Sequence, residues 1–137
     1  MKVFIDTSAF IALILKGESF HEKLVNQYKV YKKSRAQLIT SDYILDELYT
    51  RCVYRAGSHG AKLATNLIKE AVTSNELTVL EVGSSIFQKA EPIFLKFSDN
   101  KISFTDATSF VLYKDFALDE VFTLDDDFKK MRLNTSF

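Results

Sequence analysis

The segment Lys2-Val-Phe-Ile-Asp6-Thr-Ser-Ala-Phe-Ile-Ala-Leu-Ile-Leu15 holds a single acidic residue in an otherwise almost wholly apolar run. Taking a carboxylate out of water without a partner costs several kcal/mol, so Asp6 needs a reason to be there. The residues before it, Lys2 to Ile5, form a short β-rich run. Those after it, Ala9 to Leu15, read as a buried helix that ends near Gly17. Asp6-Thr7-Ser8 therefore stands at a strand-to-helix junction and offers N-cap chemistry.

The same alternation continues outward. Glu18 to Arg35 reads as a long amphipathic helix with Phe20, Leu24, Tyr28 and Tyr31 along one stripe, and Ala36 to Thr40 as a second strand. Ser41 caps a helix over Asp42 to Ala56, Gly57-Ser-His-Gly60 breaks it, and Ala61 to Ser74 forms another. Leu77 to Val82 is a third strand, followed by a helix over Ser84 to Phe97 and a polar stretch, Ser98 to Lys101. A helix from about Phe104 to Lys114, a fourth strand over Glu120 to Thr123 and a short helix over Asp125 to Met131 complete the pattern. Strands alternating with helices imply right-handed crossovers: an α/β chain with a central parallel sheet of four to five strands and helices on both faces. No repeat, low-complexity tract or linker interrupts it, so residues 1–137 read as a single domain.

The bulk numbers agree and narrow the class. A chain of 137 residues is long enough for one full core and too short for two comfortable ones. Eighteen basic residues balance eighteen acidic ones, which argues against a simple DNA-binding module but not against an enzyme that reaches phosphates through a bound metal. The one cysteine, Cys52, has no partner for a disulfide and lies in a helix-like stretch far in sequence from either histidine, so it reads as an inert buried thiol in a reducing compartment. His21 and His59 fit no zinc spacing. Ala9 to Leu15 resembles a short signal core but lacks a cleavage site, and no run nears the roughly 18 apolar residues of a membrane span. A soluble cytoplasmic protein is expected.

In an open parallel sheet the site lies at the carboxyl ends of the strands. Asp6 follows the first strand directly, and Glu47 sits two turns into the helix after the second. Asp106 opens a helix after a polar loop, and Asp125 and Asp127 follow the fourth strand in Thr123-Leu-Asp-Asp-Asp-Phe128. Each has a bland explanation. Asp6 is a plausible helix cap. Ser103-Phe-Thr-Asp106 and Thr123-Leu-Asp-Asp126 have capping-box spacing, and Glu47 can pair with Arg51 one turn on. Capping, however, is served equally well by Ser or Asn. Several carboxylates in one place repel and raise one another's pKa values unless a divalent cation joins them. Such a cation lowers the pKa of a bound water and stabilises charge on a phosphoryl group, so the joint pattern points to metal-assisted phosphodiester hydrolysis.

At these residues the chain resembles the PIN-domain family, in particular its VapC-like toxins from toxin–antitoxin pairs. The matching pieces are FIDTSAFIAL, TSDYILDELYTR, SFTDATSF and VFTLDDDF, which follow the family's order over nearly the whole chain. The resemblance implies a PIN fold and an endoribonuclease activity dependent on Mg2+ or Mn2+. It implies that Asp6 and Asp106 are the principal metal ligands, with Glu47 completing the pocket, often through water, and Asp125 as the fourth acid. Asp127 is expected to assist, and Thr7 or Ser8 to supply a hydroxyl beside the first acid. Family toxins commonly form homodimers and are silenced by a small VapB-type antitoxin. Two basic clusters, Lys29, Lys32, Lys33 and Arg35 and then Lys129, Lys130 and Arg132, read first as solvated helix faces; as an RNA path the second is the better candidate, because it lies beside the fourth acid.

Rival readings fail at particular residues. A haloacid-dehalogenase-like phosphatase needs an Asp two residues after the first, where this chain has Ser8. A response-regulator receiver needs an acceptor Asp at the end of its third strand, where this chain reads LTVLEV. A catalytically inactive PIN-like scaffold and a housekeeping RNA-processing nuclease remain as alternatives.

Overall fold

Val3, Phe4 and Ile5 are buried on both sides, as the middle strand of a parallel sheet requires. A computed structural model describes all residues from Met1 to Phe137. The elements are β1 (Lys2–Ile5), α1 (Thr7–Ile14), α2 (His21–Lys33), β2 (Gln37–Ser41), α3 (Asp42–Thr73), β3 (Leu77–Leu80), α4 (Ser84–Lys96), a 3-10 turn (Ser98–Asn100), α5 (Phe104–Asp115), β4 (Glu120–Phe122) and α6 (Asp127–Lys130). The strand order is β3-β2-β1-β4, and every pair is parallel. After β4 the chain returns to place one further bridge beside it. Val121 N donates to Asn134 O at 2.8 Å and Ser136 N to Val121 O at 3.0 Å, so the tail makes a single rung of a fifth strand.

Register positions the site. Ile5 is level with Phe122 in β4, and Asp6 N continues the ladder by donating to Phe122 O at 3.0 Å. Asp6 is therefore level with Thr123 at the carboxyl end of the sheet. Phe4 and Phe122 are wholly buried, each contributing about 1.5–3 kcal/mol, which fixes both strand ends against movement. Asp42 ties β2's exit to β3's end: its Oδ1 accepts from Tyr43 N and Val82 N, both at 2.9 Å.

Two of the departures from the sequence reading shape the fold. The final helix begins at Asp127 rather than Asp125, because Thr123 Oγ1 and then Asp125 Oδ1 capture the backbone N–H groups two residues ahead of each and hold the segment as a turn. The expected loop at Gly57–Gly60 is a kink inside one long element instead. Only Ala56 (φ −141°, ψ 16°) and Gly57 (φ 56°, ψ −145°) leave helical geometry, and Gly57 takes the left-handed φ that glycine tolerates. Gly60 closes the elbow, since a Cβ there would stand 2.4 Å from the Cys52 carbonyl oxygen. The buried positions Ile44, Leu48, Cys52, Gly60, Ala64 and Ile68 run at multiples of four through both arms, so one apolar row survives the bend.

Candidate metal centre

Asp6 has only 4 % of its surface exposed and is the N-cap of α1. Its Oδ2 accepts from Ser8 Oγ and Thr123 Oγ1, both at 2.9 Å, and from Ser8 N at 3.4 Å. Those donors stabilise the charged form, yet burial outweighs them and the carboxyl is raised above its usual range. The same hydroxyls bind the β4 exit: Thr123 Oγ1 accepts from Asp125 N at 2.9 Å, and Ser8 Oγ from Leu124 N at 3.0 Å. Two hydroxyls thus join the first strand's acid to the segment carrying the last acids.

Asp106 is also buried and stands in the first turn of α5, fixed by a capping box. Its N–H donates to Ser103 Oγ at 3.0 Å, and its Oδ2 accepts from Ser103 N at 3.4 Å. Burial, followed by the charges of Asp6, Asp125 and Asp127, pushes this carboxyl from 3.8 up to about 7. Asp125 is raised as well, first by burial and also by the neighbouring Asp127 charge. Asp127 N donates to Asp125 Oδ1 at 2.9 Å, and Asp127 Oδ1 accepts from Lys130 Nζ at the same distance.

One carboxylate oxygen from each of Asp106, Asp125 and Asp127 lies within 4.8 Å of the other two. Their mutual repulsion adds to burial in raising Asp106 and Asp125. An all-oxygen, anionic donor set suits a hard divalent cation. The sequence leaves open whether Asp125 or Asp127 is the fourth acid; both enter the cluster.

Glu47 stands apart from that trio. Its carboxylate faces Arg51 at 3.8 Å, the i,i+4 pair that its bland reading foresees. Of the two hydroxyls beside Asp6, Ser8 makes the contacts, while Thr7 Oγ1 is buried without a hydrogen-bond partner. The cations of α6 are engaged locally: Lys129 pairs with Asp126 at 3.6 Å and Lys130 with Asp127 at 2.9 Å, while Arg132 is exposed at the left-handed turn beyond (φ 60°). Sequence reasoning treated Thr123 only as a cap. Its position one residue past β4, level with Asp6 across a parallel pair, is the signal that identifies it as a link.

A cavity of about 1010 Å3 lies elsewhere, between α1, α2 and the second arm of α3. Its walls, among them Phe10, Leu13, Tyr28 and Leu67, are mostly apolar and include none of the acids above.

The family model of the PIN domain matches residues 3–133. Among curated proteins, the 23S rRNA-specific endonuclease VapC20 of Mycobacterium tuberculosis, found in two strains, is 26% identical over 126 residues, covering 92% of this chain and 91% of its own length. The crystal structure of M. tuberculosis VapC20, a sarcin-ricin loop cleaving toxin, superposes with a TM-score of 0.81 at 25% identity, over 96% of this chain and 95% of that one. VapBC2 from Rickettsia felis, solved bound to a DNA fragment from their promoter, gives a TM-score of 0.71 at 12% identity over 99% and 98%, a likeness of fold.

Proposed function

This chain belongs to the PIN domain family, and from that premise we propose that it is a divalent-metal-dependent endoribonuclease, the VapC-like toxin of a toxin–antitoxin pair. The observation that carries the reading is the convergence of Asp106, Asp125 and Asp127 within 4.8 Å, hydroxyl-linked to the buried Asp6. Asp6 and Asp106 are the principal ligands for Mg2+ or Mn2+, with Asp125 and Asp127 completing the anionic wall. Glu47, held by Arg51, would support the pocket from outside that group. When bound, the cation supplies charge neutralisation, an acidified water and stabilisation of negative charge on the scissile phosphate.

The chain's own residues do the positioning. Ser8 and Thr123 hold Asp6, and the Ser103 capping box aims Asp106 across the α5 N-terminus. Lys130 fixes Asp127 from its outer side. Burial and mutual repulsion of the carboxylates favour any bound positive charge, so a divalent cation and protons would compete for the pocket near neutral pH. The substrate is RNA, and the naming of VapC20 as a 23S rRNA-specific endonuclease favours a ribosomal target. A small VapB-type antitoxin and a second copy of the chain are the proposed partners, and the single thiol suits a cytoplasmic setting. Residues 1–137 act as one PIN domain.

The test is to sequence the ends of cellular RNA after brief induction of the wild type and of Asp106→Asn. New, clustered 5′ ends in the wild type alone support the reading. Identical end profiles for the two proteins refute it.

A further inference from the structure

A small cleft of about 130 Å3 opens beside the acidic site, between the α1–α2 connection and the first arm of α3. Its walls include Ser8, Leu124, Glu18, Phe20, Arg51 and Arg55. Ser8 and Leu124 belong equally to the site's frame, since Ser8 Oγ contacts Asp6 Oδ2 at 2.9 Å and accepts from Leu124 N at 3.0 Å. The cleft is therefore continuous with the place where phosphodiester chemistry is proposed.

Its charge pattern follows from helix geometry. Glu47, Arg51 and Arg55 lie at i, i+4 and i+8 on α3, one ridge beside the buried row Ile44, Leu48 and Cys52. Moving along that ridge the charge changes from one carboxylate to two guanidiniums. Both are half exposed, in surface pairs with Glu47 and Glu18 that are weak enough to be exchanged for a phosphate. Phe20, in the connection opposite, leaves 53 % of its surface in water, although folding alone favours covering a ring of that size. An exposed ring that lines one cleft with two guanidiniums offers the stacking and phosphate-pairing chemistry that reads single strands.

We propose, on the ribonuclease reading above, that this cleft is the subsite for the single-stranded RNA flanking the scissile phosphate, with Phe20 stacking a base and Arg51 and Arg55 pairing with backbone phosphates. It is offered in place of the α6 cations because it joins two guanidiniums to an exposed aromatic ring in one cleft.

The test uses Asp106→Asn as an uncleaving parent and a fluorescein-labelled, mixed-sequence single-stranded RNA oligonucleotide as probe, read by anisotropy across a salt series. Arg51→Ala and Arg55→Ala should each weaken binding and flatten the salt dependence by about 0.7 in log–log slope. Phe20→Ala should weaken it at least about fivefold with no change of slope, and Phe20→Tyr should restore it. Glu18→Gln, which releases Arg55, should tighten binding. Lys33→Ala, at the exposed far end of α2, is the control for general electrostatics. Parent-like affinity and slope in the Arg51→Ala/Arg55→Ala double variant overturn the assignment, as does a loss in Lys33→Ala equal to that in Arg55→Ala. If the wild type cleaves RNA and the parent binds it while the cleft variants change nothing, the subsite alone falls. If the wild type cleaves no RNA and the parent binds none, the ribonuclease reading falls and takes the subsite with it.

Discussion

Asp106→Asn should make the metal-free protein more stable, and by an amount that depends on pH. The wild-type carboxyl titrates near 7 in the folded chain against 3.8 when unfolded, chiefly because it is buried and then because Asp6, Asp125 and Asp127 surround it. Below pH 3.8 it is protonated in both states and costs nothing. Between 3.8 and about 7 the unfolded chain releases its proton while the folded chain keeps it, so stability falls as pH rises; above 7 the whole penalty is present. At about 1.4 kcal/mol per pH unit, that interval amounts to ~4 kcal/mol. The side chain is 7 % exposed, so solvent screening removes little of it. Asparagine keeps the shape and an oxygen for Ser103 N, at a loss of ~1 kcal/mol for a weaker bond and a lost charge at the helix start. The net gain at pH 8 is then ~3 kcal/mol. With an unfolding entropy of ~2.1 cal/mol/K per residue, a chain of this length should melt ~10 °C higher. Melting curves in EDTA at pH 8 and pH 5 are the assay, and the gap should nearly close at pH 5. Saturating Mg2+ or Mn2+ should lift the wild type by ~2.7 kcal/mol at a hundredfold excess over Kd, and the variant far less. Equal melting temperatures in EDTA at pH 8, or a gap that does not shrink toward pH 5, would refute the reasoning.

Asp6→Asn should abolish Mg2+-dependent RNA cleavage while circular dichroism stays native; retained cleavage would remove Asp6 from the proposed ligand set. Thr123→Val withdraws a donor from the buried Asp6 and the acceptor for Asp125 N, so it should cost ~1–3 kcal/mol and raise the metal concentration needed for half-maximal cleavage. A metal titration followed by cleavage rate, beside a melting curve, checks both. Glu47→Gln should reduce kcat/KM by only about 10–100-fold, the scale of an outer-sphere partner; a loss as complete as that of Asp6→Asn would move Glu47 into direct contact with the cation. Gly60→Ala forces a methyl against the Cys52 carbonyl and should cost ~1–3 kcal/mol in urea unfolding, with the acid cluster's metal response intact.

Much of the fold was legible because its boundaries are marked locally. Ser41 and Ser103 cap the helices they were expected to cap, and the apolar runs of β1 and β2 stand out from the amphipathic helices around them. The α3 elbow was not legible for a physical reason. A Gly-Ser-His-Gly tetrad normally ends a helix, but here the apolar row resumes in phase after it, and Gly60's missing side chain lets the two arms touch. That is a packing constraint between residues eight positions apart in chain, Cys52 and Gly60, and no local propensity encodes it. Similarly, Asp125 and Asp127 cannot be ranked from the triplet alone. Only the turn made by the Thr123 hydroxyl and the Asp125 carboxylate brings both carboxylates to one side.

The same turn bears on why Asp6 is acidic at all. As an N-cap it needs only a short acceptor, and Ser or Asn would do. It instead carries a charge into a nearly sealed position, supported by Ser8 and Thr123, and those donors still fail to offset its burial. Asp106 repeats the pattern: a complete capping box, and a carboxyl nonetheless raised to about 7. Two helix starts that are fully satisfied as caps remain unfavourable as charges. The capping geometry therefore accounts for where these side chains point, and the excess electrostatic cost is the quantity that a cation bound at the acid cluster would offset. A chain selected for capping alone would have shed that cost by a single substitution at either position, and the melting experiment above measures how large it is.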